Sequence, residues 1–238
     1  MLSHFCDSSF IANFRMPFLL YCVARLETEV IPNIVGVADE PVRSLETSGL
    51  RIYWSEIVDP DGSLVEGGPR RNAELKFLRV LREIVAQITP IPVAFPVVLA
   101  DPEAIAKYID EERESFAEAV LRLGDTVQYE MIASWVADEQ ADLATPVSGR
   151  EYQKRRQEAA DRIAAIDTKL KSVTAGIVRE WRARQDRRKH RWFALVPRQD
   201  RERFLAALRS AGPSEGVRLR LSGPWPPGEF VKPLSESQ

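Results

Sequence analysis

The side chains that most often carry catalysis or bind metals are few in this chain of 238 residues. There are two histidines, His4 and His190, and two cysteines, Cys6 and Cys22. The cysteines lack metal-binding spacing, and we interpret them as reduced thiols in a reducing cytosol in preference to a disulfide. No cluster of Cys, His or acidic residues surrounds His190, so a solvated histidine is favoured over a metal ligand. We therefore expect neither a metal nor a cofactor.

Paired carboxylates are the second candidate chemistry. Four glutamates stand at helical spacing, namely Glu111, Glu112, Glu114 and Glu118. A general acid needs burial to raise its pKa, whereas carboxylates at this spacing usually face solvent on an exposed helix. The sequence also has neither the G-x-S-x-G motif of hydrolases nor a Walker phosphate loop. These residues predict a protein that is not an enzyme.

The charge of the chain is nearly balanced, with a formal net charge of −2, but it is unevenly distributed. Residues 100–142 contain twelve acidic and three basic side chains, whereas residues 148–190 contain thirteen basic and six acidic ones. Two solvated helix faces of opposite sign are the favoured explanation, and a docking surface for a charged partner is the alternative. A basic helix over 179–191 would suit a nucleic acid or another anionic surface. Two observations oppose a nucleic-acid-binding helix. Trp181 belongs to a series of apolar residues at helical spacing, and no nucleic-acid-binding signature accompanies the basic segment.

The composition, with 45% hydrophobic and 29% charged residues, is typical of a globular protein. The length allows one large domain or two small ones. No apolar run approaches the roughly 20 residues of a membrane span, and Arg25 and Glu27 close the run that follows Met16. That run also lacks the length and the cleavage site of a signal peptide. We expect a cytoplasmic protein without membrane contact.

Hydrophobic periodicity predicts short strands separated by helices between residues 16 and 123. Pro92 and Pro96 place their strand at a sheet edge or interrupt it. The predicted strands cover residues 18–24, 34–37, 50–58 and 91–99. The predicted helices cover 41–48, 75–88 and 101–123, and Gly124 ends the last of them.

The sequence from residue 124 to 238 predicts a long helix, about 148–188, in which apolar residues recur at steps of three, four and seven and form a stripe on one face. The other predicted elements are strands at 126–136, 191–196 and 217–221 and a helix at 200–211. The predicted fold is α+β, with two small domains, 16–123 and 124–238, of short, mostly antiparallel sheets and packed helices. The second domain is expected to be a modified ferredoxin-like unit with an extended proline-rich tail. Residues 1–15 show no clean period and are expected to form a loose extension before a start at Met16.

The tail, residues 222–238, has the least ordinary sequence in the chain. Its prolines hold φ near about −65° and remove backbone donors, which excludes a helix and favours a stiff, extended strap. Its aromatic side chains must be buried, either on the chain's own C-terminal sheet or in a partner's groove. The former is favoured, because permanently exposed aromatic side chains promote aggregation. The residues assigned to partner binding or tail docking are Gly223, Pro224, Trp225, Pro226, Pro227 and Phe230.

The motifs of this chain resemble those of the gas vesicle protein family GvpL/GvpF. The run Gly-Pro-Trp-Pro-Pro at 223–227, after a strand-like segment and before Phe230, is similar to the family's C-terminal signature. Segments 18–24, 90–95 and 195–198 are similar to family strands and follow in the expected order, so the resemblance covers roughly residues 16 to 231. Two family features are absent. Arg71-Asn72-Ala73-Glu74 opens the helix where the family often has a His, and Ala94-Phe95-Pro96-Val97 replaces an Arg-Phe-Gly-Thr run.

The resemblance implies a non-catalytic accessory or structural protein of the gas vesicle. Such a protein would bind the small shell subunit, contact other gas vesicle accessory proteins, and help to assemble or line the gas-filled shell in the cytoplasm. The resemblance supplies no catalytic residue and implies the same two-domain picture. The competing hypothesis is an adaptor that binds nucleic acid or another anionic surface through the basic segment 179–191.

Overall fold

A computed structural model describes residues 17–27, 33–57, 68–135, 149–186, 189–212 and 217–231. These residues form two four-stranded antiparallel sheets with helices packed on them, which confirms the predicted α+β class. The strands are β1 (Phe18–Arg25), β2 (Arg43–Thr47), β3 (Leu50–Glu56), β4 (Ile91–Leu99), β5 (Thr126–Trp135), β6 (Glu180–Asp186), β7 (Lys189–Pro197) and β8 (Val217–Trp225). The helices are α1 (Gly68–Gln87), α2 (Pro102–Glu111), α3 (Arg113–Leu123), α4 (Gly149–Val173) and α5 (Arg201–Ser210). The expected loose extension, residues 1–15, lies outside the described residues.

The first sheet has the strand order β2-β3-β1-β4. Its central strand β1 is almost wholly buried, as the apolar run in the sequence predicts. Strand β4 lies at the edge, and its register with β1 shifts between Leu20 and Cys22, opposite the segment that contains both prolines. The edge position predicted from Pro92 and Pro96 is therefore confirmed, because an edge strand tolerates the lost backbone donors.

The second sheet has the order β6-β7-β5-β8. In chain order these are the second, third, first and fourth strands of the half, with helices after the first and third, as in a ferredoxin-like unit. Helices α4 and α5 cover one face, where Ile166, Leu170 and Phe204 pack against Tyr129 and Trp192. The first sheet repeats the same strand order, a likeness that the residues did not reveal.

The long helix predicted over 148–188 is wrong beyond Val173. There the chain turns, with Thr174 donating its hydroxyl to the Leu170 carbonyl and Gly176 adopting a φ of 71°. The following residues pair with β7 as strand β6. The described residues of the basic segment 179–191 therefore belong to two paired strands and not to a helix. Trp181, expected on the helical stripe, lies half-buried on β6, because pairing with β7 outweighs the local helical period.

Four further predictions differ from the structure. The strand expected over 34–37 is only an isolated bridge between Val35 and Pro41. The short helix expected over 41–48 is instead strand β2, joined to β3 through Ser48 and Gly49, both at positive φ as in a type I′ hairpin turn. The single helix expected over 101–123 is two helices that break at Glu112. The strand expected to end at residue 221 continues to Trp225, so the first part of the proline-rich tail is an edge strand. Further along the tail, Gly228–Phe230 form a 3-10 turn, and residues 232–238 lie outside the described parts of the chain.

The two halves share an apolar core. Phe193 and Leu195 of β7 pack with residues of the first sheet and with Phe116 of α3. Arg198 also joins the halves, since its guanidinium donates to the carbonyls of Val85, at 2.5 Å, and Ile88 at the end of α1. Within the described residues no helix is long and apolar enough to span a membrane.

Candidate functional site

The residues first considered for chemistry do not converge. Cys22 is a free thiol, wholly buried in β1, and this burial raises its pKa far above the usual range, so it is unreactive at neutral pH. Cys6 and His4 lie outside the described residues. Glu111, Glu114 and Glu118 are exposed on α2 and α3, whereas Glu112, between the two helices, is half-buried. Among the described residues no group of three His, Cys, Asp or Glu could hold a metal ion.

His190 lies on β7 beside Trp192, with ring centroids 4.3 Å apart. Partial burial lowers its pKa, and the nearby carboxylate of Asp167 on α4 opposes that shift. The same carboxylate accepts a hydrogen bond of 3.0 Å from the indole Nε1 of Trp192. These contacts tie α4 to the sheet, so the surroundings of His190 are structural.

The C-terminal segment starts where β8 changes its register against β5. Gln128 pairs with Trp225 and Glu130 with Ser222, so the β8 side contains an extra residue at this bulge. Gly223 lies within the bulge at a φ of 133°. A Cβ atom at this position would lie 2.8 Å from the Tyr129 ring and 2.9 Å from the Gln128 carbonyl oxygen. Only glycine fits here, for both conformational and steric reasons.

Trp225 is the half-buried aromatic residue of the segment. Its indole Nε1 donates a 3.1 Å hydrogen bond to the Ser222 hydroxyl. The Arg82 guanidinium of α1 lies 4.5 Å from the centroid of its ring, a cation–π contact that reaches into the other half of the chain. The next two residues, Pro226 and Pro227, are buried.

Phe230 is fully buried in the core that the two halves share. Its carbonyl accepts a 2.6 Å hydrogen bond from Arg122 of α3, and the Arg182 guanidinium lies 5.0 Å from its ring centroid. Of the two aromatic residues of the tail, Phe230 is therefore the deeply buried one.

Glu229 connects the segment to the second sheet through three different groups. Its backbone N–H donates to the side-chain oxygen of Gln128 at 2.9 Å, and its carbonyl accepts from Arg182 at 2.6 Å. Its carboxylate forms an ion pair with Arg184. All the assigned tail residues thus lie along one path from the edge of the second sheet into the boundary between the halves. A contact between these residues and a partner stays a prediction.

The arginines that hold the segment were not singled out from the sequence. Arg82, Arg122 and Arg182 come from three elements that are distant in the chain. Nothing in their local sequence distinguishes them from solvated arginines. Arg182 lies in the basic segment 179–191, for which a solvated face was favoured and a partner contact was the alternative.

This arrangement defines a class of two-sheet α+β proteins whose C-terminal segment is inserted between the halves. Two solved structures share the two-sheet α+β fold, the gas vesicle proteins GvpF from Anabaena sp. PCC7120, with a TM-score of 0.73, and from Microcystis aeruginosa, with a TM-score of 0.70. Each is 16% identical to this chain and covers 91% of it, and the match spans 96% and 99% of those two chains.

Sequence comparison gives the same result. The family model described as "Gas vesicle synthesis protein GvpL/GvpF" matches residues 17–232. Gas vesicle protein F of Streptomyces sp. (strain CB03234) is 24% identical over 246 residues, which cover 91% of this chain and all of that protein. The chain belongs to the GvpL/GvpF family of gas vesicle proteins, as the C-terminal motif and the order of the strands had indicated.

Proposed function

We propose that this chain binds the gas vesicle shell subunit and supports assembly of the vesicle, through protein–protein recognition without catalysis. The observation that carries the proposal is membership of the gas vesicle synthesis family over residues 17–232, together with the fold shared with two GvpF structures. In the described residues, the candidate catalytic side chains are structural or lie apart on the surface. A cytoplasmic location at the gas vesicle, with other accessory proteins as further partners, is part of the same proposal.

The surface that best suits such binding is the outer edge of β8 with Trp225. Strand β8 is an edge strand, so a partner strand can pair with its backbone. Leu219 and Leu221 on this strand are 40% and 38% exposed. Half-buried Trp225 follows on the same strand, and aromatic residues of this kind often dominate interface energies. In this proposal Phe230 anchors the segment and the β8 edge contacts the shell subunit.

The test is a Trp225→Ala variant assayed for binding to the shell subunit fused to a soluble carrier protein. We expect the loss of this aromatic contact to weaken binding by about 2 kcal/mol or more, which is roughly 30-fold. Trp225→Phe is the matched control and should retain most of the affinity, and the carrier alone controls for background. Urea unfolding of both variants reports any change in the isolated protein. Unchanged binding by Trp225→Ala would exclude this surface.

The adaptor hypothesis has weaker support. In its basic segment the described residues of β6 and β7 are paired strands, and Arg182 and Arg184 already contact the C-terminal segment. A salt titration separates the two proposals. Affinity that falls steeply with salt indicates binding to a polyanion, whereas a nearly flat dependence indicates apolar recognition of the shell subunit.

A further inference from the structure

The second sheet carries a row of three arginines and one isoleucine across its four strands. In the strand register, Arg184 of β6 pairs with Arg191 of β7, Arg191 with Ile132 of β5, and Ile132 with Arg220 of β8. Directly paired residues point to the same face of a sheet. The arginine row, defined as these four residues, is therefore a single line about 14 Å long, since neighbouring strands lie about 4.8 Å apart.

The arginine row lies on the face that α4 and α5 do not cover. Met131, the neighbour of Ile132, is buried against those helices, so Ile132 points the other way. The Arg184 and Arg191 side chains are 67% and 38% exposed, and Arg220 is exposed as well. The row is therefore accessible to a partner.

Electrostatic repulsion between the arginines of the row opposes the pairing of their strands. Like charges directly opposite each other, as at Arg184 and Arg191, destabilise a strand pair. Glu229 pairs with Arg184, and Glu130 lies 3.3 Å from Arg191, which offsets part of the repulsion. Arg220 adds further positive charge to the same face. The row thus has excess positive charge, and its guanidinium groups already bind carboxylates, for which their planar geometry is suited.

Negatively charged side chains, complementary to the arginine row, lie on the surface of α3. Glu114, Glu118 and Leu121 follow each other at steps of four and three, so they form one stripe on the helix surface. Both glutamates are exposed, and Leu121 is 77% exposed, the highest value among the large hydrophobic side chains of the described residues. The acidic stripe, as we call these three residues, is about 10 Å long at 1.5 Å per residue. It fits within the length of the arginine row.

We propose that the acidic stripe of one copy of this chain docks on the arginine row of a second copy. The two glutamates then pair with the row's arginines, and Leu121 covers Ile132. Because the two surfaces are different patches of the same chain, the contact is heterologous and can repeat from copy to copy, producing a head-to-tail array. This assembly is independent of the shell-subunit contact proposed above.

A second copy fits the row better than a nucleic acid does. The carboxylates of Glu130 and Glu229 lower the positive charge of this face, so it suits a helix with two carboxylates better than a polyanion whose phosphates extend along the whole row. The four residues of the row include no aromatic side chain on which a base could stack. The net charge of −2 gives a nucleic acid no long-range attraction to the whole chain.

Sedimentation velocity of the full-length chain tests the proposal directly. At about 50 mM salt, the weight-average sedimentation coefficient is expected to rise with protein concentration. At about 0.5 M salt the rise should disappear, because exposed charges are then screened within a few ångströms. A chain that stays monomeric at every concentration in low salt overturns the proposal.

Complementary charge reversals test the two surfaces. Arg184→Glu with Arg220→Glu removes the row, and Glu114→Arg with Glu118→Arg removes the stripe. Each double variant alone should self-associate at least about tenfold more weakly, whereas an equimolar mixture should associate again, because the intact stripe of one variant can dock on the intact row of the other. The matched control, Arg162→Glu with Lys169→Glu on exposed positions of α4, should associate like the wild type.

The double variants could fail to fold, so circular dichroism checks their secondary structure. Two single variants provide a test that is less exposed to misfolding. Arg220→Glu and Leu121→Arg change only one exposed residue each, and both should weaken association. A mixture of the double variants that stays monomeric overturns the proposal. So does a monomeric wild type that binds a short duplex DNA through the row, as shown by loss of that binding in Arg184→Glu with Arg220→Glu. The experiment uses no shell subunit, so its failure leaves the proposed function untouched.

Discussion

At the residue scale, the two aromatic side chains of the C-terminal segment have different surroundings. Phe230 has no exposed surface and contacts residues of both halves, whereas Trp225 is half-buried and stacks with Arg82 near the surface. The difference follows from the path of the chain, which leaves the sheet edge after Trp225 and turns inward at Gly228–Phe230. Burial therefore assigns the anchoring role to Phe230.

The first prediction at this scale concerns Phe230→Ala. Removing a fully buried phenyl ring should lower the free energy of unfolding by about 3–5 kcal/mol, because both the transfer term and the cavity term are lost. Urea unfolding measures the change. Trp225→Ala is the internal comparison and should cost less, since its ring is half-exposed and an exposed cation–π contact contributes about 0.5–1 kcal/mol. Equal losses in the two variants would contradict the assignment.

At the element scale, the apolar stripe predicted helix α4 correctly, but it also predicted helix where the structure has strand β6. Ile166 and Leu170 pack on the second sheet, so the stripe up to Val173 is a core-facing stripe. Ile177 and Trp181 continue the same steps but belong to a turn and a strand. The helical spacing of apolar residues thus continues past the end of α4 at Val173, so the sequence gives only a weak signal for where the helix ends.

The prediction for this element is that Leu170→Ala lowers the free energy of unfolding by about 2–5 kcal/mol, because Leu170 is only 3% exposed. The matched control is the same substitution at Leu75 of α1, which is 60% exposed and should change stability by no more than about 0.5 kcal/mol. Thermal or urea unfolding of both variants gives the comparison. If Leu170→Ala behaved like Leu75→Ala, α4 would not be packed on the sheet.

At the scale of the whole molecule, the described residues form two sheets with one shared core. Leu195 and Phe230 from the second half pack beside residues of the first. Arg198 ties the end of α1 to the second sheet, and its Nε donates to the Thr89 hydroxyl at 2.9 Å while that hydroxyl donates to the Thr126 carbonyl at 2.8 Å. We therefore expect the two halves to unfold together.

Arg198→Ala tests this coupling. The loss of its guanidinium leaves the carbonyls of Val85 and Ile88 without these donors, and we expect a cost of about 2–3 kcal/mol. The control Arg203→Ala removes an exposed arginine paired with Asp200 and should have little effect. For the wild type, fluorescence and circular dichroism should give coincident urea transitions. Two separate wild-type transitions would show that the halves are independent domains.

The sequence by itself determined much about this protein. Apolar periods located β1, α1 and most of α4, because local burial patterns follow the geometry of each element. Pro92 and Pro96 indicated an edge strand, and the Gly-Pro-Trp-Pro-Pro run with its neighbours indicated the family. These features are readable because each depends on the covalent properties or spacing of adjacent residues.

The tertiary structure decided what depends on contacts between distant segments. Pairing with β7 made Glu180–Asp186 a strand where the local period favoured a helix. The depth of Phe230 and the choice of Arg122 and Arg182 as its partners depend on how the two sheets meet, which no local pattern records. The same holds for the arginine row, whose members are separated along the chain and become neighbours only when strand register aligns them.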